Sequence, residues 1–192
     1  VGTYFGLNNL TNSYYYYSPE ELAPVLESYI AAFPTNARLL QIKKNNDITL
    51  ETAVGKQFKD FEMPDVDGNM HKLSEYIAAN KVTLVDFWAS WCGPCRAEMP
   101  AVKDAYDAYK NKGFGIVGVS LDNNKKAWVG AINKMELPWH HISDLKGWQC
   151  EGAAVYGINA IPATILFGPD GKVVAAGLRA HELAEKLAEV LK

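Results

Sequence analysis

Cys92 and Cys95, separated by Gly93 and Pro94, are the residues whose types and spacing most directly imply chemistry. Two thiols one helical turn apart can exchange with an external disulfide or supply half of a metal site. Their setting separates these uses. Residues 82–88 form an almost unbroken apolar run, which predicts a strand buried on both faces, and a helix is expected over residues 93–112. Cys92 then falls at a helix N-terminus, where unpaired backbone N–H groups favour thiolate over a thiol that ordinarily titrates near about 8.5. Cys92 is the expected nucleophile. Cys95, one turn further in, is the expected resolving thiol that attacks a mixed disulfide on Cys92. A structural zinc site needs two further ligands, whereas Cys150 stands alone and His140 and His141 are adjacent, so that on a strand they point to opposite faces. No metal is expected.

Asp86 lies six residues before Cys92 within the apolar run. Burying a lone carboxylate is costly, so its pKa should rise, and such a carboxyl suits a shuttle for the Cys95 proton. The competing reading turns Asp86 to solvent at a strand edge. Glu98, one turn beyond Cys95, is placed to tune that transfer, although a charged residue on such a helix is ordinarily a solvated face.

The elements that must position these groups begin at about Gly55, where strands alternate with helices and predict a mostly parallel sheet. Asp65-Val66-Asp67-Gly68 reads as a turn, residues 72–79 as a helix, 114–120 as a second buried strand, 125–135 as a helix and 152–156 as a short helix. Residues 163–167 and 173–176 flank the hairpin turn Gly168-Pro169-Asp170-Gly171, and a last helix carries Leu183, Leu187, Val190 and Leu191. Two segments are expected, 1–54 and 55–192. In the first, residues 1–17 lack periodicity and read as an extended lead-in, whose run Tyr14-Tyr15-Tyr16-Tyr17 suits a flexible terminus or a contact stretch equally. Ser18-Pro19-Glu20-Glu21 is a capping box for an amphipathic helix, with interior Pro24 implying a kink or a later start. After Pro34, Thr35 is expected to cap a short helix carrying Leu39, Leu40 and Ile42, ending before the polar residues 43–47.

The charge balance, 19 basic against 22 acidic residues, leaves no basic stripe, so nucleic acid is not an expected partner. No apolar run approaches the roughly 20 residues that cross a bilayer. The chain starts at Val1 rather than Met, and an anchor upstream of Val1 is the one membrane connection expected.

Residues 85–96, Val-Asp-Phe-Trp-Ala-Ser-Trp-Cys-Gly-Pro-Cys-Arg, resemble the active-site segment of the thioredoxin superfamily. Pro100 and the run Tyr156-Gly157-Ile158-Asn159-Ala160-Ile161-Pro162-Ala163-Thr164 extend the likeness. Over residues 55–192 the chain most resembles the TlpA/ResA-type thiol-disulfide oxidoreductases, which are themselves similar to the peroxiredoxin-like AhpC/TSA-related group. That rests on residues 61–68 with Lys72-Leu73-Ser74, on Arg96-Ala97-Glu98-Met99-Pro100, and on an inserted segment at residues 122–148. The resemblance implies an α/β thioredoxin fold, a central mixed sheet flanked by helices, with an inserted αβ segment and an N-terminal helical extension. It implies a cis Ile161–Pro162 bond, and a substrate platform of Trp91, Gly93, Pro94, Ile161 and Pro162. It further implies thiol-disulfide exchange with no cofactor beyond the cysteine pair, a disulfide-bearing protein substrate, an upstream thiol electron donor, and a periplasmic or otherwise extracytoplasmic setting such as that of cytochrome maturation. The Cys-Gly-Pro-Cys sequence implies a reducing poise, about −270 mV in thioredoxin. Competing uses are a peroxiredoxin-like peroxidase, and a non-catalytic dithiol that holds a soft metal or a partner. Trp88 is expected to pack in the core, Trp128, Trp139 and Trp148 to pack the inserted segment with a partner groove as the competing use, and Cys150 to be a small, partly buried residue with a regulatory or intermolecular thiol as the competing reading.

Overall fold

The structure, a computed structural model, describes residues 3–192. The chain divides into two compact units, one ending at Ala53 and one spanning Val54–Lys192. Among the described residues no helix is long and apolar enough to cross a membrane.

The described residues of the first unit are predominantly helical, which corrects two expectations; the start of the lead-in, residues 1–2, lies outside the described residues. The lead-in is a helix, α1 (Tyr4–Ser13), followed by a 3-10 turn at Tyr14–Tyr16. The Thr3 side chain accepts from the Gly6 N–H at 3.1 Å, and Leu7 and Leu10 bury against Leu22, Leu26, Leu39 and Ile42. Only two apolar anchors in ten residues left the period too faint to read. Helix α2 (Pro19–Ala32) starts at its capping box and continues through Pro24, which is exposed, so the carbonyl it leaves unpaired can meet water. Helix α3 (Ala37–Glu51) is capped by Asn36 rather than Thr35 and runs on through the polar residues 43–47. There Lys43 pairs with Asp47 and Gln41 with Asn45 at i,i+4, while buried Asn46 donates to the Pro19 carbonyl at 2.8 Å.

The second unit opens with a hairpin, β1 (Glu62–Pro64) and β2 (Met70–Lys72), around the expected turn. Asp65 closes that turn by accepting from the Asp67 and Asn69 N–H groups. Helix α4 (Leu73–Ala79) then leads to β3 (Val82–Trp88), α5 (Gly93–Tyr109), β4 (Phe114–Ser120), α6 (Lys125–Met135), β5 (His140–Ile142), α7 (Glu151–Val155), β6 (Ala163–Phe167), β7 (Val173–Ala176) and α8 (Ala180–Val190). The five-stranded sheet has the order β5-β4-β3-β6-β7. Its pairings with β4 are parallel, but β3–β6 and β6–β7 are antiparallel, so the sheet is mixed rather than mostly parallel. The Gly168–Gly171 turn requires the second of these, because a tight hairpin can join only antiparallel strands. Every residue of β3 and β4 is buried, as continuous apolar strands between helical layers must be. The inserted segment contributes α6 and the edge strand β5, in which His140 is exposed and His141 buried.

Candidate active site

The site forms at the carboxyl end of β3. Beyond Trp88 the chain turns through Ala89, Ser90 and Trp91, and Cys92 becomes the N-cap of α5. Cys92 Sγ accepts from the Cys95 N–H at 3.2 Å, which aims the open end of the helix at the sulfur. The two cysteines are joined as a disulfide, with Cα atoms 5.3 Å apart. Both are nearly covered, 5% exposed at Cys92 and 2% at Cys95, so the outer sulfur is the more open to an incoming group. Gly93, Pro94 and Trp91 are exposed around it, the last by 53%. The Ile161–Pro162 peptide bond is cis, and Ile161 is half-buried.

Asp86 is buried in the centre of the sheet rather than at an edge. With Cys95, Glu98, Met99, Pro162 and Thr164 it lines a cavity of about 10 Å³, of the order of a single water. Burial pushes the Asp86 carboxyl up to about 7, with the Glu98 charge adding to the rise. A carboxyl poised there exchanges protons readily at neutral pH. Glu98 is not a freely solvated face, since its Oε1 lies 3.1 Å from Arg179 Nε and its side chain is 25% exposed. Arg179 is held in turn by its own N–H donating to Glu182 at 2.7 Å, and the preceding Leu178 carbonyl accepts from Thr164 Oγ1 at 2.8 Å. Thr164 stands opposite Asp86 in the β3–β6 ladder, so one row of the sheet ties this corner together.

The sequence reading missed the group that fixes the turn. Asp122, 1% exposed, accepts from the Ser90 N–H at 2.8 Å and from Ser90 Oγ at 2.5 Å, and Ser120 Oγ donates to it at 2.8 Å. A carboxylate two residues past a buried strand, following a serine, was the available signal. Arg179 had none, because it lies 81 residues from Glu98, the difference between the two positions. Two packing expectations also need correction. Cys150 is fully rather than partly buried, its sulfur 4.0 Å from Met63 Sδ, and burial pushes its thiol up to about 11. Trp88, Trp128 and Trp139 pack as expected, but Trp148 is 52% exposed, with its ring centroid 6.2 Å from that of Trp91.

Comparison with known proteins agrees with this geometry. The model of the AhpC/TSA family matches residues 54–176. The thiol-disulfide oxidoreductase ResA of Bacillus thuringiensis subsp. konkukian (strain 97-27) is 30% identical over 139 residues, covering 72% of this chain and 77% of that protein. The thioredoxin domain of a thiol-disulfide oxidoreductase from Bacteroides vulgatus superposes with a TM-score of 0.67 at 33% identity, covering 73% of this chain and 99% of that one. A thiol-disulfide oxidoreductase from Bacteroides fragilis NCTC 9343 gives 0.65 at 36% identity, covering 70% and 98%.

Proposed function

The chain belongs to the AhpC/TSA family and is a thiol-disulfide oxidoreductase of thioredoxin fold, and from that premise we propose that it works as a reductase of protein disulfides. The observation that carries the proposal is a buried carboxyl, Asp86, sharing a water-sized cavity with Cys95 and pushed up to about 7 by that burial. A proton acceptor at the inner thiol serves turnover, and merely holding a metal or partner would not need one.

In the reducing direction the Cys92 thiolate attacks one sulfur of a substrate disulfide, forms a mixed disulfide and expels the other sulfur as thiolate. Cys95 gives its proton to Asp86, attacks Cys92 Sγ, closes the Cys92–Cys95 bond and releases the second substrate thiol. The substrate leaves with two electrons gained and the enzyme holds the disulfide seen here. An upstream thiol donor restores the pair, and no bound cofactor takes part. Trp91, Gly93, Pro94, Ile161 and Pro162 form the surface that receives the substrate, and Glu98 tunes Asp86. The likeness to TlpA/ResA-type proteins supports an extracytoplasmic setting, in which a membrane-impermeant maleimide would label reduced Cys92 in intact cells.

Equilibration of the pair in thiol buffers tests the direction. A potential near about −270 mV is expected of a reductase, and one near about −120 mV would make the protein a disulfide donor. Adding hydrogen peroxide to the reduced enzyme separates the peroxidase reading, for which peroxide would have to outpace a protein disulfide as oxidant.

A further inference from the structure

Trp148 is a large apolar side chain left half in water on a loop that is firmly held. Leu145 and Gly147 both take left-handed backbone conformations, φ 56° and 59°, which turn the chain sharply before the indole. Asp144 accepts from the Lys146 and Glu151 N–H groups, at 3.1 and 3.0 Å, bracketing the loop, and Cys150 anchors its far end in the core. A mobile tip would explain an exposed tryptophan, but this one is presented from a fixed mount.

The mount is continuous with the one that carries Trp91. Ser143 Oγ accepts from the Leu145 N–H at 3.2 Å and donates to the Ser120 carbonyl at 2.9 Å. Ser120 Oγ donates to Asp122, and Asp122 accepts both hydrogen bonds of Ser90, which immediately precedes Trp91. A single, partly buried network therefore ties together the backbone segments that carry two indoles standing 6.2 Å apart, each about half exposed, with Cys92 next in sequence to one of them. This also gives the buried Asp122 carboxylate a role that the redox steps themselves do not require.

We propose that Trp91 and Trp148 form an aromatic shelf that grips an extended protein segment through an aromatic or bulky apolar side chain beside the substrate cysteine. Trp91 directly precedes the cysteine that must form the mixed disulfide, so a side chain seated on the shelf during turnover belongs to the chain bearing the disulfide under attack. Aromatic side chains pair well with exposed indoles, whereas a tripeptide thiol such as glutathione brings none. Trp148 is in this sense a specificity-determining residue, and the proposal rests on the protein-disulfide reductase reading above.

The test uses the reduced full chain and two synthetic peptide disulfides identical except for the residue before the cysteine, Phe in one and Gly in the other. Wild type should favour the Phe peptide by roughly three- to tenfold in kcat/KM, with the difference in KM. Trp148→Ala should bring the ratio close to one, and Trp148→Phe should keep most of it. No preference in wild type, an undiminished preference in Trp148→Ala, or an equal loss on both peptides would overturn the shelf. A wild-type enzyme that reduces neither peptide would sink the reductase reading itself, and the shelf with it.

Discussion

Asp86 and His141 lie in one row across the sheet. Asp86 of β3 is opposite Gly118 of β4, and Gly118 is opposite His141 of β5, so both side chains rise from the same face. Burial drives both toward their neutral forms, Asp86 up to about 7 and His141 down to about 3, the latter helped by the neighbouring His140 charge. Their surroundings differ. The His141 ring lies in the space that Gly118 leaves, where an added Cβ would come within 2.5 Å of Nδ1, and its centroid is 5.6 and 5.9 Å from the rings of Trp88 and Trp139. Among the described residues neither ring nitrogen has a hydrogen-bond partner. Asp86 instead faces a cavity it shares with Cys95 and the ion-paired Glu98. A large shift is thus a consequence of burial in both places, and what separates them is that Asp86 shares a cavity with a thiol, the access on which its proposed role rests.

The comparison breaks most completely at the thiol. Cys95→Ser replaces the resolving thiol with a hydroxyl too weakly acidic to pass its proton to Asp86 and unable to close the disulfide, so mixed disulfides on Cys92 should accumulate as stable adducts visible by mass spectrometry, whereas Cys92→Ser should form none. Next is Asp86→Asn, which should slow resolution by roughly 100-fold at pH 8, while His141→Gln leaves the exchange rate unchanged. Equal slowing by both variants would erase the distinction.

Stability should divide the pair by sign. Asp86 binds its proton more tightly in the folded than in the unfolded chain, so its contribution is present below about pH 4 and is lost as pH rises through about 7. Asp86→Asn should accordingly stabilise the fold above neutrality, by at most about 4 kcal/mol, in denaturant titrations. His141 binds its proton less tightly when folded, so stability is present above about 6.5 and is lost as pH falls toward about 3. His141→Gln should flatten that acid limb. The smallest effect sharpens the Asp86 side alone. Glu98→Gln removes a charge that raises Asp86, so the pH inflection of exchange should move down. Arg179→Gln strips Glu98 of its partner and should move the inflection up.

The residues of the candidate site were legible because each carried a local signature. The cysteines end an apolar strand and start a helix, and Asp86 interrupts that strand with a charge it has little means of solvating. The mixed sheet could not be read from alternating strands and helices alone, because the order in which β6 returns beside β3 depends on contacts between residues about 80 apart. The same holds for Asp122 with Ser90, Arg179 with Glu98, and Trp148 with Trp91, each pair formed only once the sheet is built. In the N-terminal unit the failure was of another kind. Sparse apolar anchors such as Leu7 and Leu10 suffice when other helices cover them, and helix α3 carries its polar middle through side-chain pairs that hydrophobic periodicity does not record.

The most direct measurement is the pH dependence of mixed-disulfide resolution, followed by stopped flow from a Cys92 adduct in wild type and in Asp86→Asn. A proton relay through Asp86 predicts a wild-type rate that rises through an inflection near 7 and a variant that is slow and lacks it. The same inflection in both proteins would place the proton acceptor elsewhere and contradict the relay.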